Sequence, residues 1–144
     1  MKEGPKMIQH QHTAEDDTRV TTINNPTAVN LVIDGHKFPA FLNDSTAAQA
    51  LIKKLPYTVT VSQGMHDYCG GMDHLPYDDG AVQAGWFNGD IAFDISGDWF
   101  VIFLRGENNN PQYQEVNLGQ LADAADITNI SKLPTTVKVT IELA

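Results

Sequence analysis

The stretch GWFNGDIAFDISGDWFVIFL, residues 85–104, decides the fold. NGD (88–90) and SGD (96–98) are turn signals, because Asn, Asp and Gly tolerate the backbone angles that tight turns need. Between them, IAFDI puts Ile91, Phe93 and Ile95 on one face and Ala92 and Asp94 on the other. After the second turn WFVIFL (99–104) is apolar on both faces, the pattern of a strand covered from two sides. The stretch therefore reads as a β-hairpin leading into a central strand, with its aspartates assigned to turns and to one outward strand face.

Upstream, QGMHDYCGGMDHLPYDDG (63–80) has no clear period and reads as a long loop; AVQAGWF (81–87) follows as a short strand. YTVTVS (57–62) alternates as a strand with one wet face. NDSTAAQALIKKLP (43–56) is a helix, with an N-cap among Asp44 to Thr46, a Thr46/Gln49 capping box and a stop at Pro56. AVNLVID and HKFPAFL (28–42) form a hairpin turning at Asp34-Gly35, and Pro39 marks its second strand as edge or bulged. Residues 1–27 are polar and aperiodic and read as a flexible tail, leaving 28–144 as one domain; His10 and His12 on such a tail are weak metal ligands.

Downstream, RGENNNPQYQ (105–114) is a turn-rich loop and EVNLGQL (115–121) a short strand. ADAADITNISKLP (122–134) holds a short helix capped by Asp126, and TTVKVTIEL (135–143) is a closing strand. Six to eight strands, two short helices and no βαβ rhythm predict a mainly β chain folded as a closed β-barrel.

With 9 basic and 18 acidic residues and a net charge of -9, the surface repels phosphate backbones and anionic lipid, which argues against nucleic-acid partners. Cys69 is the single cysteine, so no internal disulfide forms. No apolar run reaches the roughly 18–20 residues of a membrane span, and the N-terminus has no signal-peptide core. A cytoplasmic location is expected for the chain as written, and an exported one if Met1 stands where a leader was removed. Oligomeric state is not legible.

From Val29 to Leu143 the order of these elements resembles the bacterial cyclophilin-like fold proteins, small barrels mostly without an assigned activity. The likeness is carried by DGHKF, the helix ending in Leu55-Pro56, YTVTVS, Tyr68, Leu75-Pro76, GDIAF, WFVIFL, the Leu118-Gly119 pair, the second helix and VKVTIEL. It implies a closed cyclophilin-like barrel. True cyclophilins isomerise X-Pro bonds with an arginine in a Phe-His-Arg run, followed by a Phe-Met-x-Gln-Gly-Gly-Asp run. Neither run occurs here: in FVIFLRG (100–106) Phe103 takes the glutamine place and Arg105 displaces a glycine.

Arg19 and Arg105 are the only arginines. With Arg19 assigned to the tail, Arg105 is the one candidate catalytic arginine, and its plain alternative is a solvated strand end or an ion-pair partner. Tyr68, Tyr77, Trp86 and Phe103 are candidate binding residues under the long loop, although core packing is the default for Trp86 and Trp99. His66, Cys69 and His74 are weak metal candidates, with a spacing that matches no known motif. No phosphate loop or nucleophile elbow is present, and no cofactor is expected. The leading expectation is a non-catalytic module whose pocket, bounded by loops 63–80 and 105–114, binds a peptide or small molecule. An accessory domain docking through strand 36–42 and a divergent prolyl isomerase using Arg105 are the alternatives.

Overall fold

A computed structural model describes residues 19–144. Most of the expected tail, including His10 and His12, lies outside the described residues. Among the described residues nine strands and two α-helices follow one another: β1 (Thr27–Ile33), β2 (His36–Leu42), α1 (Thr46–Ile52), β3 (Tyr57–Gln63), β4 (Asp67–Gly71), β5 (Val82–Ala84), β6 (Asp90–Asp94), β7 (Trp99–Phe103), β8 (Gln114–Leu121), α2 (Ala125–Ser131) and β9 (Thr136–Leu143). Eight strands pair antiparallel in the order β2-β1-β9-β3-β4-β7-β6-β8, and β8 returns to β2 through Ala40–Leu42 opposite Gly119–Leu121, closing the barrel. β5 lies beside the other half of β8, with Val82 opposite Val116.

The alternation read from the sequence fills the interior. Val29, Leu31, Ile33, Val59, Val61, Ile91, Phe93, Phe100 and Ile102 point inward, α1 adds Ala47, Ala48 and Leu51, and α2 adds Ile130. Asp34 and Gly35 both have positive φ, 51° and 79°, as an Asp-Gly hairpin turn requires. β7 is covered on both faces: Phe100 and Ile102 face the barrel, while Val101 and Phe103 pack outward with Trp86 and Ala92 in a second apolar cluster.

Trp99 departs from the core placement expected for it and is 42% exposed. It begins β7 on the outer face and folds back over Gly97, where an added Cβ would collide with its indole nitrogen. The loop at 63–80 also differs, because β4 lies inside it and pairs with β7 from Asp67↔Phe103 to Gly71↔Trp99. Glycines of low strand propensity conceal it. Gly70 is needed there, since a Cβ would run into the Thr60 carbonyl.

Helix α1 is capped by Ser45, whose hydroxyl accepts the Ala48 N–H at 3.1 Å. Gln49 donates to the Asp44 carbonyl instead of completing a capping box. In α2 the Asp123 carboxylate, not Asp126, accepts a first-turn N–H, from Ala125 at 2.9 Å. Pro39 sits just before the β2–β8 ladder begins at Ala40, and that ladder leaves no free edge along Ala40–Leu42. Order starts earlier than Ala28: Arg19 is buried, and the segment from it to Asn25 is hydrogen-bonded to the barrel.

Candidate functional site

The aromatic candidates separate into two places. Tyr68 faces the barrel interior, fully buried, and its hydroxyl donates to the Pro134 carbonyl. Tyr77 packs near Phe93 and His74 at the barrel end. Trp86 and Phe103 stack outside the barrel, 4.7 Å apart and 9° from parallel, with Tyr113 edge-on to Trp86 at 5.1 Å. Loop 105–113 is tied down over them, because Trp86 N–H donates to the Asn108 carbonyl at 2.9 Å and its indole N–H to that of Arg105 at 3.3 Å. Trp86 is fully buried as a result, and the slot expected between the two loops is filled by the protein's own rings.

Arg105 is committed nearby. Its guanidinium donates to the carbonyls of Gly64 and Met65 at 3.3 and 3.4 Å and to the Gln63 side chain at 3.1 Å, clasping the β3–β4 turn. The metal candidates are not brought together. His66 lies at one end of β4 against Trp86, whereas His74 lies beyond the other end, bonded to Asp98 at 2.9 Å. No group of three or more metal-ligating side chains forms among the described residues. Burial, with the adjacent Asp67 carboxylate, pushes the Cys69 thiol up to about 11, so it is a protonated thiol at neutral pH.

A different site is built where β8 changes partner. Along Gln114–Val116 it pairs with β5, and along Gly119–Leu121 with β2; the β6–β8 ladder has a bulge between Ile91 and Ala92, which face Gly119 and Asn117. A bulge re-aims side chains. Asn117 and Asn43, both buried, meet there: Asn43 Nδ2 donates to the Asn117 carbonyl at 3.0 Å, and Asn117 Nδ2 to that of Gly119 at 3.1 Å.

These carboxamides hold the segment 19–25 as a strap that bends at Asn24 and Asn25. Thr22 N–H donates to Asn117 Oδ1 at 3.0 Å, and the Thr22 carbonyl accepts from Asn43 Nδ2 at 2.9 Å. Val20 N–H donates to Gln83 Oε1 at 3.2 Å, Thr21 hydroxyl to Asp90 at 2.5 Å, and Asn25 to Asp44 at 2.7 Å. Arg19 places its guanidinium 4.1 Å from the centre of the Phe87 ring and donates to the Trp86 carbonyl at 3.0 Å. Beside the strap a cleft of about 490 Å³ opens between Asn43–Ser45, Gly80–Gln83 and Asn117, with Val20 and Thr22 as one wall.

The model of the Cyclophilin-like family matches residues 31–142. The chain belongs to that family. No curated protein matches it. Among the features of this cyclophilin-like barrel, the strap lies outside the matched stretch, whereas its receptor residues Asn43, Gln83, Phe87, Asp90 and Asn117 lie within it.

Two carboxyl groups on the outer face are shifted strongly. Burial lifts Asp90 to about 7, although the Thr21 hydroxyl and the Phe87 N–H, which both donate to it, pull in the other direction. Glu115, opposite Asp94 on the next strand, is lifted by burial and then by Asp90 and Asp94 to about 9, so it is a neutral acid at pH 7. Its Oε1 has no hydrogen-bond partner among the described residues.

Arg19, Asn43, Asn117 and Glu115 are not among the sequence candidates. Arg19 falls in the polar stretch that reads as a tail, and Asn43 is indistinguishable from helix-start chemistry. The available signals are a carboxamide inside the apolar strand at Asn117 and the alternating RVTTI of the strap.

Proposed function

We infer that this cyclophilin-like barrel is a binding module that holds an extended polypeptide segment at the cleft around Asn43, Gln83 and Asn117, without converting it chemically. The observation that carries this reading is the pair of bonds from two buried carboxamides to the N–H and C=O of one residue, Thr22. Side-chain amides that complement both backbone groups recognise a peptide unit whatever its side chain, as main-chain pairing does in strand addition. A polypeptide is favoured over a small metabolite because the satisfied groups repeat along the chain at Val20 and Thr22, the two-residue period of an extended backbone.

The engagement of Arg105 with Gln63, Gly64 and Met65 counts against the prolyl-isomerase alternative, since its guanidinium already has three acceptors. The test is a titration of the wild-type chain with capped seven-residue peptides at millimolar concentration, following the side-chain amide resonances of Asn43, Gln83 and Asn117. Selective shifts of those three are expected. Their complete silence, both here and in a chain carrying Arg19→Glu, whose altered anchor frees the carboxamides from the strap, would sink the reading.

A further inference from the structure

The strap is anchored less by its backbone than by the side chain at its start. Arg19 is 3% exposed, an unusual degree of burial for a long charged residue, which is rarely enclosed unless fully partnered. Its environment is built for a guanidinium. The Phe87 ring face attracts the planar cation, the Trp86 carbonyl accepts an N–H, and the Asp90 carboxyl lies close enough to interact with its charge.

Two residues on, Asp90 accepts the Thr21 hydroxyl with one oxygen and the Phe87 N–H with the other, so one acid links the arginine receptor to a hydroxyl receptor. Next, Asn117 and Asn43 take the backbone of Thr22. Val20, between the anchors, is half exposed, and its side chain is not selected. The receptors thus read Arg-x-Thr-x along an extended chain, and the matched barrel residues, not the strap, supply them.

We propose that this groove selects extended segments carrying an arginine two residues before a threonine or serine, and that residues 19–25 occupy it in cis as a resident ligand which a partner protein's segment must displace. The proposal rests on the polypeptide-binding reading above. Displacement by a partner is consistent with the open cleft alongside the strap, where an incoming chain meets Asp44 and Gln83 first and reaches the buried Asn43 only as Thr22 leaves. A lysine fits worse than arginine, because an ammonium lacks the flat face that lies on Phe87.

The experiment uses the full chain as wild type and as Arg19→Glu, which sets a carboxylate against Asp90 and over the negative face of Phe87 and thereby releases the strap. Hydrogen exchange at the Thr22 N–H is expected to accelerate at least tenfold in the variant. Calorimetry then measures the capped peptide Ac-RVTTINN-NH2 against versions with lysine or norleucine at its first position and valine at its third.

The variant is expected to bind the arginine peptide at least tenfold tighter than the wild type does, and at least tenfold tighter than it binds the norleucine peptide. Unchanged exchange at Thr22 would show that Arg19 does not anchor the strap and overturn the proposal. Equal affinity for all four peptides would also overturn it, while leaving the groove a general peptide reader. If no peptide binds the variant and none moves the Asn43 and Asn117 amide resonances, the polypeptide-binding reading falls as well.

Discussion

Asn117 Oδ1 lies 3.0 Å from the backbone nitrogen of Thr22, a residue 95 positions away in the chain, and so ties the first described segment to the bulged centre of β8. Replacing Asn117 with alanine removes that acceptor and the bond from Asn117 Nδ2 to the Gly119 carbonyl. Leaving such buried groups unpaired costs about 1–3 kcal/mol. The expected outcome is a matching loss in chemical denaturation, with exchange at the Thr22 amide accelerated more than at the core strand amides, which follow only the global loss. Unaltered Thr22 exchange would mean that the carboxamide does not hold the strap.

Gly119 tests the closure of the barrel. A Cβ there would collide with the Phe41 carbonyl, and its φ is +154°. Gly119→Ala is expected to cost at least about 3 kcal/mol, or to prevent folding, because the β2–β8 backbones must separate. Gly71→Ala is the control, with nothing within 4 Å of the added Cβ, and should stay within about 0.5 kcal/mol of wild type. Similar denaturation midpoints for the two variants would contradict the closed ladder.

Arg105→Ala should loosen the β3–β4 turn and little else. Three bonds of 3.1 to 3.4 Å at a partly exposed site are worth about 1 kcal/mol together. Amide exchange at Gly64, which donates to the Asp67 carbonyl at 2.7 Å, is expected to rise. Neither wild type nor variant should accelerate isomerisation of a proline test peptide; acceleration by wild type that the substitution abolishes would restore the isomerase reading.

Glu115 gives a pH dependence of defined sign. Its folded-state pKa is raised from 4.5 to about 9, so the native chain keeps a proton that the unfolded chain releases. Its contribution is therefore complete below about pH 4.5 and is lost progressively as pH rises towards 9. A tenfold change in acidity on folding corresponds to about 1.4 kcal/mol, and an effect on the order of a few kcal/mol is expected across the window. Glu115→Gln holds the neutral form permanently, so its thermal midpoint should gain on wild type steadily from pH 5 to pH 9. Parallel midpoints across that range would show that Glu115 ionises in the fold as it does in water.

Barrel class was legible because its signals are local. Alternation in YTVTVS and VKVTIEL, the Asp34-Gly35 turn and the two-faced WFVIFL each fix an element from a few neighbouring residues. β4 escaped because its close approach to β3 puts Gly70 where a strand-forming side chain would otherwise stand, and Gly71 beside it adds no strand signal of its own. The candidate site escaped for a different reason: Arg19, Asn43, Asp90 and Asn117 converge only through closure of the barrel and a bulge. Trp86 and Phe103 do meet beside the loops, yet their stack fills the space between those loops instead of lining it.

The central claim is that buried carboxamides of the barrel read a peptide backbone. The most direct measurement is isotope-edited NMR on labelled Arg19→Glu protein with unlabelled Ac-RVTTINN-NH2, observing contacts from the peptide to the Asn117 and Asn43 side-chain amides. The account predicts contacts from the peptide's second threonine to both carboxamides, with the first threonine close to the backbone around Asp90. Contacts confined to other surfaces of the barrel, or none from a peptide that binds, would contradict it.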